Sequence, residues 1–310
     1  MNRHRRSIQT CAPLCLAVLI SCFASEAPVE RSAAGRVQVK LSPIELNLLS
    51  SDADQLARVL SMPFVEVAER LPPFAFECEA EMSFTEGSKN FRQLDRHTYR
   101  EDAAQNFHAA IRSSDAKAIE VWLQGTKLLV RHGNGRVRAT PRRDIEIEKW
   151  GELALSPQSH TFELFYPYLT VEDKGPEEFE GREVRRFALS LNLDSTLTKE
   201  SYSLPQSETR LAPVAGWRER AKPLEVNGFI LVDVETTVAL QSSFRGRLSI
   251  SDTESPEKTS ELTLRFESTI RENNEEISTE GLNHVVDEVS RARPKKGNLS
   301  FYELPTEPTP

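Results

Sequence analysis

The stretch FAFECEAEMSF, residues 74–84, constrains the fold more than any other part of the chain. Phe74, Phe76, Cys78, Ala80, Met82 and Phe84 are apolar, and Glu77, Glu79, Glu81 and Ser83 alternate with them. Successive side chains of a strand point to opposite faces, so this pattern predicts a strand with one buried and one wet face. The alternation returns in FALSLNLD (187–194), VALQSSFRGRLSI (238–250) and ELTLRFESTIR (261–271). Further strands are expected at 91–101, 105–112, 117–124, 127–132 and 226–234. Asn134-Gly135 suits a type I′ hairpin, and Glu235-Thr236-Thr237 is a short connection between two strands. About nine such strands predict a mainly β (α+β) chain, a curved antiparallel sheet or half-barrel with an apolar concave face. A parallel α/β sheet is excluded, because its strands are apolar on both faces and separated by helices.

Two stretches have helical spacing instead. Residues 44–73 form a helical segment, with Ser51 or Asp52 as N-cap and Leu56, Val59 and Leu60 on one face. Pro63 interrupts it, and Leu71-Pro72-Pro73 ends it. In DIEIEKWGELALSPQSHTFELFYPYL (144–169), Ile147, Trp150 and Leu153 sit three apart, and Phe162, Phe165 and Tyr166 follow at helical spacing. Pro157 and Pro167 are expected to divide and end this helix. The β domain is thus placed at 74–272, with an insertion at 195–223 whose prolines and lack of periodicity mark it as a long loop. Residues 273–310 read as an acidic, largely disordered tail, in which HVVDEVSRA has the makings of one short helix.

The N-terminus reads as a secretory signal: Arg3, Arg5 and Arg6 precede an apolar run too short to span a bilayer. Leu19-Ile20-Ser21-Cys22 resembles the lipobox of bacterial lipoproteins, which implies a signal at 1–21, a lipid-bearing Cys22 and a flexible tether at 22–43. Phe23 after the cysteine implies residence in the outer membrane. The rival is ordinary cleavage after Ala24. Processing at Cys22 removes Cys11 and Cys15, leaving Cys78 with no partner for an intrachain disulfide. It also removes three arginines and no acid, taking the formal net charge from −8 to −11. That acidity excludes nucleic acid and anionic lipid surfaces as electrostatic partners, so the expected hold on a membrane is the lipid on Cys22.

No catalytic signature is present: there is no G-x-S-x-G, H-E-x-x-H, P-loop or G-x-G-x-x-G, and no cofactor is expected. His97, His108 and His132 lie on adjacent expected strands, but no ligand spacing supports a metal. Cys78 falls on an apolar strand face, where a thiol behaves as a small hydrophobe.

HTYREDAAQNFHAAI, KLLVRHGNGRVRAT and GFILVDVETTVALQSSFRGRLSI form a series of strands, charged turns and a strand–Asp–turn–strand unit. Together with the lipobox they make the chain resemble the LolA/LolB-like carriers and receptors of the bacterial envelope. The resemblance implies an unclosed sheet, or half-barrel, around an apolar cavity that holds acyl chains, with the helical insertion at 144–169 covering the concave face. It places Phe74, Phe76, Met82, Phe84, Phe187, Leu189, Phe244 and Phe266 on the cavity wall. Phe162, Phe165 and Tyr166 become either core or a lid over that cavity. The function expected is an outer-membrane-anchored periplasmic lipoprotein binding an acyl chain, lipid or lipoprotein. The alternative is a non-catalytic scaffold with a filled core that binds an envelope protein partner.

Overall fold

The computed structural model describes residues 44–86, 89–114, 118–141, 144–165, 168–192, 221–251, 259–279, 282 and 286–287. Cys22, Tyr166 and most of the 195–223 insertion lie outside them. The alternation at 74–84 becomes β1 (Phe74–Glu86), and β2 (Lys89–Glu101), β3 (Phe107–Ser113), β4 (Ala118–Gln124), β5 (Lys127–His132) and β6 (Arg138–Pro141) follow it as a meander. A second meander runs through β7 (Leu169–Phe179), β8 (Arg182–Leu191), β9 (Ala221–Asp233), β10 (Ala239–Ser251) and β11 (Thr259–Glu272). β1 and β11 pair antiparallel and join the two meanders into one sheet of order β6-β5-β4-β3-β2-β1-β11-β10-β9-β8-β7. The sheet is curved and unclosed, the half-barrel expected of the alternating strands.

The order dictates the place of the long helix. β6 and β7 stand at opposite ends of the antiparallel ladder, so the chain between them must cross the sheet, and it does so as α3 (Asp144–Phe165). At 1.5 Å per residue its 22 residues span about 33 Å, enough to pass the ~24 Å between β3 and β9, both of which it contacts. Leu153, Ala154, Pro157, Thr161, Phe162, Leu164 and Phe165 form its buried stripe. Two shorter helices, α1 (Ala53–Leu60) and α2 (Phe64–Arg70), pack beside it. Asp52 is the N-cap of α1, its Oδ1 accepting the Gln55 N–H at 3.2 Å, and Leu56, Val59 and Leu60 are buried as the spacing predicts. Pro63 separates α1 from α2, while Phe64 drops into α3: a Cβ at Gly151 would lie 2.3 Å from Phe64 Cγ.

Several expectations are corrected. Pro157 does not divide α3. Its missing N–H frees the Leu153 carbonyl, which instead accepts from Ser156 Oγ at 2.9 Å and from His97 Nδ1 on β2 at 3.2 Å. Asn134-Gly135 is not a two-residue hairpin. The positive φ belongs to Gly133, Gly135 N–H donates to His132 O, and the ladder of β5 and β6 resumes only between Val130 and Arg138. The strands absent from the sequence reading, β6 and β7, are edge-zone elements; β7 is polar along Glu172–Glu178, as an edge tolerates.

The chain does not leave the sheet at Asn273. Asn273 donates through Nδ2 to Glu101 O at 2.8 Å, Ile277 is buried with its N–H on Asp102 Oδ2, and Thr279 bonds Gln124. Within HVVDEVSRA, Val286–Asp287 is not helical: it forms β12, a short parallel pairing with Arg138 and Ala139 on the free side of β6.

Candidate functional site

The concave face beneath α3 is the candidate site. Register places its side chains in cross-strand rows. One row runs Tyr99, Phe76, Ile270, and a second runs Ala80, Phe266, Phe244 beside Gly228. Phe74, Phe76, Met82, Phe187, Leu189, Phe244 and Phe266 are all 4% exposed or less, while Phe84 at the far end is half-buried. α3 fills the space above them. Phe162 meets Phe244 and Phe266 edge-on, and Phe165 packs against Phe244 at 4.8 Å between centroids. At the other end Phe64, Phe74, Tyr99 and Phe107 form a continuous aromatic cluster, with Tyr99 stacked on Phe107 and edge-on to Phe64. Trp150 and Tyr168 are half-buried at the margins.

Between the two apolar zones lies a row of different chemistry. His97, Cys78, Ser268 and Ser242 face one another across β2, β1, β11 and β10, and Ile230 of β9 closes the row. All four polar side chains are buried. Ser268 Oγ donates to Gln158 Oε1 of α3 at 3.2 Å, and His97 holds the carbonyl that Pro157 frees. Ser242 Oγ has no hydrogen-bond partner. Burial pushes the His97 imidazole down to about 4, against the opposing bonds to Leu153 and Ala154, so it is neutral. Burial raises the Cys78 thiol, so it is an inert SH. On α3 itself, burial pushes Glu152 up to about 7; its bond from Phe64 N–H at 2.7 Å opposes the shift and Glu148 adds to it.

The sequence pattern held a signal for this row. Ser242 and Ser268 occupy inward positions in stretches otherwise alternating Leu240, Phe244, Leu248 and Leu264, Phe266, Ile270. A hydroxyl in a buried register is a gap in the period, legible only once β10 and β11 are known to be neighbours.

The histidines do not converge. His97 faces the concave side, whereas His108 lies on the outer face stacked on Trp122 at 4.9 Å. Among the described residues no group of three or more His, Cys, Asp or Glu side chains could hold a metal ion, and no helix is long and apolar enough to cross a membrane. The outer face carries its own small cluster, Trp122, Leu129, Val137 and Ala139, with Leu282 packed on it and Arg131 over the Trp122 ring. Beside it, burial would raise Glu120, but bonds from Arg112 and Arg131 outweigh it and hold the carboxyl low. The Glu77, Glu79 and Glu81 side chains pair across strands with Arg100, Arg96 and Arg92, an exposed ladder.

An open antiparallel sheet with a helix laid across its concave face is a half-barrel. No protein-family model matches the chain, and no curated protein does. Solved structures that resemble it include a LolA superfamily protein from Nitrosomonas europaea, at 9% identity over 74% of this chain and 95% of that one, with a TM-score of 0.21. Lipoprotein LppX of Mycobacterium tuberculosis matches at 11% identity over 70% of this chain and 97% of that one, with a TM-score of 0.24. LprF from Mycobacterium bovis matches at 9% identity over 69% and 90%, with a TM-score of 0.24.

Proposed function

We propose that the protein is a lipid-anchored envelope protein, held to the outer membrane through Cys22, whose half-barrel takes up an acyl chain of a lipid or lipoprotein beneath α3. The helix acts as a displaceable plug: Phe162 and Phe165 occupy the surface of Phe244 and Phe266 that a ligand chain would cover. The observation that carries this reading is the chemistry of the seam. A permanent core satisfies its polar groups, because each one left without a partner costs about 1–3 kcal/mol. Here the seam between helix and sheet holds an unpartnered Ser242 hydroxyl and a proline-broken ladder, and a raised Glu152 lies on the side of α3 facing α2, while the sheet faces on either side of the seam are apolar. Lifting α3 exposes a hydrocarbon-lined trough and costs less than opening a wholly apolar interface of the same size. No chemical step is required, and the protein is read as a binder, not an enzyme.

The near-complete burial of the cavity-wall candidates favours a second reading, a scaffold with a filled interior that binds an envelope protein through its surface. Native mass spectrometry of the Cys22→Ser chain purified from its expressing cells separates the two. Bound acyl lipid supports the first; protein that is empty and fails to take up a fluorescent fatty acid supports the second.

A further inference from the structure

Ser242 Oγ is a polar atom of the concave face that the closed structure leaves without a partner, and its residue is only 1% exposed. It does not stand alone. Ser268 is its direct partner across β10 and β11, so the two Cβ atoms are about 5 Å apart on the same face. The Ser268 hydroxyl is engaged by Gln158 of α3, a bond that is lost when the helix lifts. Displacing α3 thus presents two adjacent hydroxyl donors in the middle of an apolar trough, with Phe244 and Phe266 on one side and Ile270 on the other.

We propose that Ser242 and Ser268 form a hydrogen-bonding subsite for the carbonyl oxygen of an acyl ester. This rests on the reading of the trough as an acyl-chain site, and it names the ligand's chemistry more closely. The subsite selects a neutral acceptor. Its row neighbours are the Cys78 thiol and the His97 imidazole, which is also released from Leu153 O when the helix lifts, and the buried Asp95 sits one register step away on β2. No cation faces the pair along that row, so a carboxylate or phosphate finds no counter-charge there, whereas an ester carbonyl needs only a donor. Ile230 beyond Ser242 and the Phe244–Phe266 pair give the alkyl portion apolar walls.

The test uses two lipids that differ at one group, 1-palmitoylglycerol (ester) and 1-O-hexadecylglycerol (ether), competing against a fluorescent fatty acid on the full-length Cys22→Ser chain. The ester should bind about five- to tenfold more tightly, the worth of one net hydrogen bond. Ser242→Ala should erase that preference, leave the ether affinity unchanged and not lower the melting temperature, since the hydroxyl it removes bonds nothing in the closed state. Equal affinities in the parent, or an ester preference that survives Ser242→Ala, overturn the subsite alone. A parent that binds neither lipid overturns the subsite and the acyl-chain reading together.

Discussion

The ring of Phe165 on α3 lies against Gly246 on β10 so closely that a Cβ at Gly246 would stand 2.3 Å from Phe165 Cζ. The glycine is the socket that lets the helix close on the sheet. Gly246→Ala should cost about 1–3 kcal/mol by overpacking. Combining it with Phe165→Leu, which shortens the knob, should cost less than the sum of the two single changes. Urea unfolding of the four variants measures this, and strict additivity would show that the contact does not set the closed position.

Glu152 makes stability depend on pH in a direction unusual for a carboxyl. Its folded value is raised from 4.5 to about 7, so the folded state binds more protons between those values. Its contribution is fully present below 4.5 and is lost as pH rises through 7. Buried His97, lowered to about 4, works the other way: its contribution is present above 6.5 and is lost as pH falls through 4. Glu152→Gln keeps an acceptor for Phe64 N–H and removes the charge. It should raise the melting temperature at pH 8 and leave it little changed at pH 4.5; thermal scans at the two values decide.

Asp233 anchors the turn between β9 and β10. Its Oδ1 accepts the Thr236 N–H and hydroxyl, its Oδ2 takes Arg182 at 2.6 Å, and Arg70 of α2 reaches Thr236 O and Thr237 Oγ1. Burial would raise this carboxyl, but the Arg182 and Thr236 bonds outweigh it and hold it low. Its stabilisation is therefore present above the ordinary aspartate value and is lost as pH falls through the lowered folded one. Asp233→Asn should cost about 2–4 kcal/mol at pH 7, with the difference shrinking below pH 4.

The segment after β11 works as a strap. A chain ending at Glu276 loses the Ile277–Asp102 bond, the Leu282 contact with Trp122 and the cap on β6. Hydrogen exchange should then quicken in β5 and β6 and stay unchanged in β9, β10 and β11. Uniform loss of protection would contradict a local role.

What the sequence made legible follows its periodicities. Strands wet on one face, such as β1 and β10, were plain, because Phe–Glu and Phe–Arg alternations have no helical counterpart. β7 was not, since Asp173, Gly175 and Pro176 look like a turn and only pairing with β8 makes them strand. Leu282 and Val286 were hidden for the same reason: a strap draws its order from a distant edge, not from its own composition. The cavity-wall aromatics were visible as an apolar set, but that α3 would bury them depended on the strand order sending the helix across the whole sheet.

On the proposed function, an acyl chain enters only when α3 leaves the sheet. Gln158 and Ser268 touch across that seam through the length of the glutamine side chain, so Gln158→Cys with Ser268→Cys, in a Cys22→Ser, Cys78→Ala background and bridged by a short, reducible bis-methanethiosulfonate reagent, offers a reversible lock. Fluorescent fatty-acid uptake, measured before and after reduction of the cross-link, should be absent in the bridged protein and return on reduction. Equal uptake in the two states would contradict the account.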